Sequence, residues 1–233
     1  MFEYERTDDR LTLRRNGTTW LSNGVNGGVV RADAAHNLTV PTGFDRTDLA
    51  AYATERLGER PVGPTLLTGV RQSHARGARS GAVEAVVTAG VSNPATLPVP
   101  GASAAARSDR PDRSDGNFEP GTVNVFVGTT RALSEAGLTE LLATVVEAKA
   151  ATLLETVGCT GTTSDAIAVG CLPDGDPAPF AGSATPLGNA ARICVRDALL
   201  SALEARYGDG TLPNPETAAE GTEAAGSTTV FRP

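Results

Sequence analysis

The sequence predicts an α+β fold, a mixed α/β sandwich in which a mixed, partly antiparallel β-sheet is packed by a long central helix and a C-terminal helix. Three observations carry the prediction. The N-terminal 22 residues hold short β-branched and aromatic runs broken by turn-forming residues. The segment TVNVFVGTT (122–130) puts Val123, Val125 and Val127 on one face of a strand. Two long segments, 134–156 and 189–208, carry apolar residues at helical spacing and end at or near glycine.

In chain order, FEYERT, RLTLRR and TTWLS read as short strands that pair antiparallel. RTDLAAYATERLG (46–58) reads as a helix, with Thr47 as N-cap and Gly58 as its stop. PTLLTGV (64–70) and GAVEAVVTAGVSN (81–93) read as strands joined by a polar, arginine-rich connection. The stretch 94–120 is rich in Pro, Ser, Ala, Asp and Arg without an apolar period, and is expected to be a mobile surface loop. After the valine strand, Ser134 caps the long helix, DAIAVGC (165–171) forms the next strand, and the final helix stops at Gly208. Residues 1–208 are expected to form one domain and 209–233 a disordered polar tail.

A chain of 233 residues, 40% of them hydrophobic, can bury a sizeable core, and with 4% aromatic residues that core must come from Val, Leu, Ile and Ala. The net charge of −7 is spread without a basic block, which argues against a nucleic-acid partner. The charged start MFEYERTDDR and the lack of a run of about 18 apolar residues argue against a signal peptide and a membrane span, so a cytoplasmic location is expected. Cys159, Cys171 and Cys194 form no CxxC pair and read as small buried hydrophobes; no metal site is predicted. His36 and His74 lie in separate polar contexts and read as surface residues. The glycines of 24–28 lack the strand–GxGxxG–helix context of a nucleotide fingerprint. Lys149 is the sole lysine among 20 basic side chains; acidic excess with lysine depletion predicts a surface adapted to high salt, although a GC-rich genome would leave the same arginine bias.

Chemistry concentrates in VGCTGTTSDAIAVGC (157–171), where Thr160, Thr162, Thr163, Ser164 and Asp165 crowd one turn. At 100° per residue the preceding helix has an apolar stripe of Leu138, Leu142, Val145, Val146 and Leu153, and Lys149 falls near its centre. Thr152 and Thr156 share that face and extend it toward the turn. A buried ammonium needs a counter-charge, and Asp165 is the candidate; packing of the lysine stem with its head at the core's edge is the plainer alternative. Asn124, in mid-strand, must pair if buried. Five strand ends, LSNGVNGG, LLTGV, TAGVSNPA, VGTT and GCTGTTSD, carry small polar residues that either serve ordinary turns or line one cleft.

This ordered set of segments resembles the adenosylcobinamide amidohydrolase family. The resemblance rests on LSNGVNGG, NLTVP (37–41), VVTAGVSNPA (86–95), GTVNVFVGTTRALSEAGLTELLATVVEAKAATLLE (121–155), GCTGTTSDAIAVG (158–170) and GSATPLGNA, which together span most of 21–207. It implies hydrolysis of the amide linking aminopropanol to the corrin ring of adenosylcobinamide, giving adenosylcobyric acid in the salvage of cobalamin precursors. The cobalt belongs to the substrate, and no cofactor bound by the protein is implied. Loop 94–120 and the tail depart from the family's pattern as peripheral insertions.

With that reaction in view, Lys149, Thr163 and Asp165 are the candidate catalytic residues: water or a threonine hydroxyl, Thr163 foremost, attacks, while Lys149 and Asp165 manage protons. Ser22, Asn23, Gly27, Gly28, Ser92, Asn93, Asn124, Thr160 and Thr162 are the candidate substrate contacts, matched to the amide arms around a wide corrin. Two other readings compete: a corrinoid carrier without catalysis, and a threonine-dependent self-processing hydrolase. The expected partner is the corrinoid alone, with no nucleic acid and no membrane, and homo-oligomerisation is compatible with the sequence.

Overall fold

Alternating valines build the centre of the sheet, as their period-two pattern requires. The protein, seen in a computed structural model, is described for residues 1–99, 121–208, 210–218, 221–226 and 228–232. Its elements are β1 (Glu3–Arg6), β2 (Arg10–Ser22), β3 (Gly28–Thr39), α1 (Leu49–Leu57), β4 (Thr65–Thr68), β5 (Arg76–Ser80), β6 (Val83–Ala89), β7 (Pro94–Thr96), β8 (Val123–Thr129), α2 (Glu135–Val157), β9 (Gly161–Thr162), β10 (Ala166–Cys171), α3 (Pro186–Tyr207) and β11 (Thr222–Glu223).

The main sheet runs β4-β3-β2-β10-β8-β6-β5, with β1 on the free half of one β2 edge. It is mixed: β8–β10 and β3–β4 are parallel, and the remaining pairs are antiparallel. A small second sheet, β11-β7-β9, sits beside the turn that precedes β10.

One face of the sheet is covered by α2 and α3. Val123, Val125 and Val127 meet Leu138, Leu141 and Val145 of α2 and Cys194, Val195 and Leu199 of α3 in one core. Phe126 and Ala168 point the other way, into a second core with Leu13, Trp20 and Leu66 from the strands that curl over that side. Phe2 stacks on Trp20 with ring centroids 5.2 Å apart. The predicted α+β architecture with its two packing helices is therefore the architecture found.

Helix α2 begins where Ser134 accepts a hydrogen bond from the Gly137 amide and ends at Gly158, in the left-handed region at φ 74°. That reversal carries the chain from the helix into the polar turn. Two residues of the predicted stripe fall elsewhere: Val146 is 43% exposed and Leu142 half-buried, while Leu141 is fully buried. Helix α2 packs on both the sheet and α3, so its buried face is wider and rotated from the stripe that periodicity alone selects.

Other departures have local causes. RLTLRR and TTWLS are one 13-residue strand, made to look like two by a register shift between Arg14 and Thr18. Strand β3, 12 residues long, has no predicted counterpart. Helix α1 starts after Asp48 rather than Thr47, and the Asp48 carboxylate is taken by the Arg46 guanidinium instead of capping the helix. The arginine-rich connection contains edge strand β5, paired to β6. The expected loop opens with a strand, since β7 pairs with β9; the rest of that loop, from 100 to 120, lies outside the described residues. In the expected tail, Thr222–Glu223 pairs in parallel with Ala95–Thr96. His36 and His74 are half-buried, not surface residues, because β3 and the turn after β4 are covered.

Candidate active site

Opposed strand directions bring separate loops to one rim. Parallel β8 and β10 begin there, and antiparallel β2 and β6 end there, so the segments 22–28, 90–96, 121–122 and 158–165 converge. Three of the five polar strand ends, LSNGVNGG, TAGVSNPA and GCTGTTSD, share this rim. VGTT lies at the opposite end of β8, where Thr129 pairs with Val83.

At the centre, Lys149 reaches from α2 to Asp165 at the start of β10. Their side chains are 7% and 12% exposed, and Nζ bonds directly to Oδ2. Nζ also donates to the Thr160 carbonyl oxygen at 3.3 Å. The Asp165 carboxylate is fully engaged: Oδ1 accepts from the Val123 amide at 2.9 Å and from the Thr162 hydroxyl, and Oδ2 from the Thr162 amide at 3.1 Å as well as from Lys149. The carboxylate thus accepts from an ammonium and three further donors, which fixes its position in the turn.

Gly161 makes the pair possible. A Cβ there would lie 2.6 Å from Asp165 Oδ2 and 2.7 Å from Lys149 Nζ. Only a residue without a side chain lets the turn backbone close over both charges.

The threonines part company. Thr162 is buried and hands its proton to Asp165, whereas Thr163 is exposed and its hydroxyl accepts from Asn93 Nδ2. The Thr163 amide donates to the Asn93 carbonyl oxygen at 3.3 Å, so the two residues are clasped twice. Thr160 bonds to Ala95 through its amide at 3.3 Å and its hydroxyl at 3.4 Å. Thr152 is buried and donates to Ala148; Thr156 is exposed and donates to Thr152, so the expected polar strip ends one turn short.

Around this centre, Asn23 is exposed and fastens β2 to β10: its Oδ1 accepts from the Ile167 amide at 2.6 Å. Ser22 is buried and holds the next turn by accepting from the Gly24 amide at 2.9 Å. Gly27 and Gly28 are exposed on the rim beside it. Ser92 packs against Gly121, where a Cβ would come within 2.5 Å of the Ser92 amide nitrogen.

Asn124 is not on the rim. It is fully buried, and its Nδ2 donates to Asn37 Oδ1 at 2.8 Å and to the Leu67 carbonyl at 2.9 Å. Asn37 donates in turn to Gln72 at 3.2 Å and Thr88 at 3.0 Å. This polar network underlies the site and ties β3, β4, β6 and β8 together. Sequence reasoning missed Asn37, Gln72 and Thr88; the signal was a polar residue inside each of three otherwise apolar or structured stretches.

All three cysteines are buried and free. Burial raises the pKa of each thiol, that of Cys194 to about 11, which leaves them poor nucleophiles at neutral pH. Among the described residues no three His, Cys, Asp or Glu side chains gather as metal ligands would, and no helix is long and apolar enough to cross a membrane.

Comparison with known proteins agrees with the resemblance. The model of the adenosylcobinamide amidohydrolase family matches residues 3–211. An adenosylcobinamide amidohydrolase of Halobacterium salinarum is 47% identical over 240 residues, covering 100% of both chains. One from Methanosarcina mazei is 28% identical, over 88% of this chain and 98% of its own. Among solved structures, the PH0078 protein of Pyrococcus horikoshii aligns over 86% of this chain and 78% of its own, at 10% identity and a TM-score of 0.45. The chain, matched over nearly its whole length, belongs to the adenosylcobinamide amidohydrolase family and is an amidohydrolase.

Proposed function

We propose that this protein hydrolyses the amide joining aminopropanol to the corrin ring of adenosylcobinamide, releasing adenosylcobyric acid and aminopropanol in cobalamin-precursor salvage. The observation that carries the reading is the exposed Thr163 hydroxyl, clasped by Asn93 and set on the turn that buries Lys149 against Asp165. The cobalt enters as part of the substrate.

Amide cleavage needs an attacking oxygen, a donor for the tetrahedral oxyanion and a proton for the departing amine. In this reading Thr163 Oγ1 forms the new bond to the carbonyl carbon as its O–H breaks, and the proton released there is the one that ends, directly or by relay, on the leaving nitrogen. The C–N bond then breaks, aminopropanol leaves with a proton, and water releases the acid. Lys149 Nζ carries three protons, and its bonds to Asp165 and Thr160 account for two. In this reading the third serves the oxyanion or relays the proton to the leaving nitrogen, past the Gly161 backbone that covers the pair. Exposed Asn23, Gly27 and Gly28 line the rim where the corrin's amide arms would rest, with the buried Asn93 beneath holding Thr163.

One observation favours a second reading of the attacker. Thr162, not Thr163, points its hydroxyl proton at a carboxylate, as an activated nucleophile does.

Incubation with adenosylcobinamide and separation of the products tests the function. Adenosylcobyric acid is expected; an intact, bound corrinoid would make the protein a carrier, and cleavage of the polypeptide at a threonine would make it self-processing. Mass spectrometry of the quenched enzyme distinguishes the attackers by which threonine carries the acyl group.

A further inference from the structure

On the outer face of β2, Arg10, Thr12 and Arg14 alternate with the core residues Leu11 and Leu13 and pair across to Leu38, His36 and Ala34 of β3. The chain leaving α1 crosses this face, so close at Gly63 that a Cβ there would sit 1.8 Å from the Ala34 carbonyl oxygen. Between them lies a cavity of about 460 Å³ whose charged lining is Arg10, Arg14, Arg31 and Arg60 against Asp33 and Glu59.

The charges are unequally engaged. Glu5 reaches in from β1 to Arg14 at 3.4 Å and to Arg10 at 3.9 Å. Asp33 is occupied by the Gly17 amide at 2.7 Å. Among the described residues Arg31 and Arg60 have no ion pair, so in a chain of net charge −7 this cavity holds a local excess of guanidinium. His36 stands among them, its Nδ1 3.1 Å from the buried Thr12 hydroxyl. Burial, then Arg14 and Arg10, lower its pKa to about 4, so the ring is neutral at pH 7.

We propose that this cavity binds a small phosphorylated anion. Guanidinium forks match phosphate oxygens in bidentate geometry, and the volume is that of a small-ligand site. Thr12 is ten residues from Ser22 along the strand, about 30 Å at strand rise, while Arg31, the lining residue nearest the rim, pairs with Thr19, about 10 Å from Ser22; the cavity lining includes none of the rim residues 22–28. A bound phosphate offsets part of the positive field of Arg14 and Arg10 at His36, so the midpoint of the imidazole rises on binding.

Calorimetric titration of the full chain with sodium pyrophosphate and with inorganic phosphate, at fixed KCl, tests the proposal. Saturable binding is expected, weakened at least about tenfold in Arg14→Gln/Arg60→Gln while the rate of amide hydrolysis is unchanged. In the unaltered chain, pyrophosphate should raise the midpoint of the His36 imidazole NMR titration and leave His74, the other histidine, where it was; this readout needs no folded variant. A nucleoside diphosphate binding equally well assigns recognition to the phosphates, and tighter binding assigns part of it to the organic moiety. Absence of saturable binding, equal binding by the double variant, or an unmoved His36 midpoint overturns the site.

Discussion

Lys149 and Asp165 form a buried ion pair under Gly161, and the position of a Cβ at residue 161 is already filled by the two charged groups. Gly161→Ala is therefore expected to push the ammonium and carboxylate apart. Stability should fall by about 2–4 kcal/mol, as for a disrupted buried pair, with loss of most hydrolytic activity. Urea unfolding and steady-state turnover of the same preparation check both. A variant with wild-type turnover would show that the closure of Gly161 over the pair is not required.

Removing one partner of the pair strands the other charge. Lys149→Met and Asp165→Asn should each cost about 3–5 kcal/mol, while the double variant recovers much of that stability and stays inactive. Chemical denaturation gives the coupling and turnover gives the role. Full activity in the stable double variant would reduce the pair to a structural element.

Asn93 and Thr163 are clasped through side chain and backbone. If Thr163 attacks, Thr163→Ala should lower kcat by roughly 10³-fold or more, Thr163→Ser should keep a measurable fraction, and Asn93→Ala should cost about 10–100-fold, mainly in kcat. The same losses at Thr162, with Thr163→Ala active, would transfer the role to the hydroxyl that faces Asp165.

His36 sets a pH dependence of stability. Its folded pKa, about 4, lies below its ordinary 6.5, so between these values the unfolded chain binds more protons. The penalty is absent above about pH 6.5 and grows as the pH falls toward 4. The melting temperature should therefore fall as the pH drops through that window, and His36→Gln should flatten the decline between pH 5 and 6.5, above most carboxylate titration.

A net charge of −7 carried with a single lysine predicts salt-strengthened folding. Molar KCl should screen carboxylate repulsion and raise the melting temperature relative to 0.1 M. An unchanged melting temperature across that range would reduce the lysine-poor surface to a matter of codon composition.

Much of the fold could be read from particular residues. Ser134 marked a helix start because a hydroxyl ahead of a periodic segment satisfies a free amide, and it does so here with Gly137. Val123, Val125 and Val127 marked the inner face of β8 because side chains alternate along a strand. Helical angle alone turns Lys149 inward, and charge balance points to Asp165 as its partner, the pair the structure forms. Strand β3 escaped because its residues, rich in Ala and polar groups, lack the alternation that exposes a strand; pairing with β2 makes it one.

What the sequence alone determined is local: which residues cap, turn, alternate and carry charge, since these follow from each residue's own geometry and hydration. Only the tertiary structure decided which of two adjacent threonines faces Asp165 and which faces solvent, that Asn124 lies beneath the rim with Asn37, and that VGTT stands at the far end of β8. Those outcomes depend on strand order and on which backbone passes overhead. The Thr163 hydroxyl's neighbour, Asn93, lies 70 positions away in the chain, and no local pattern encodes that distance.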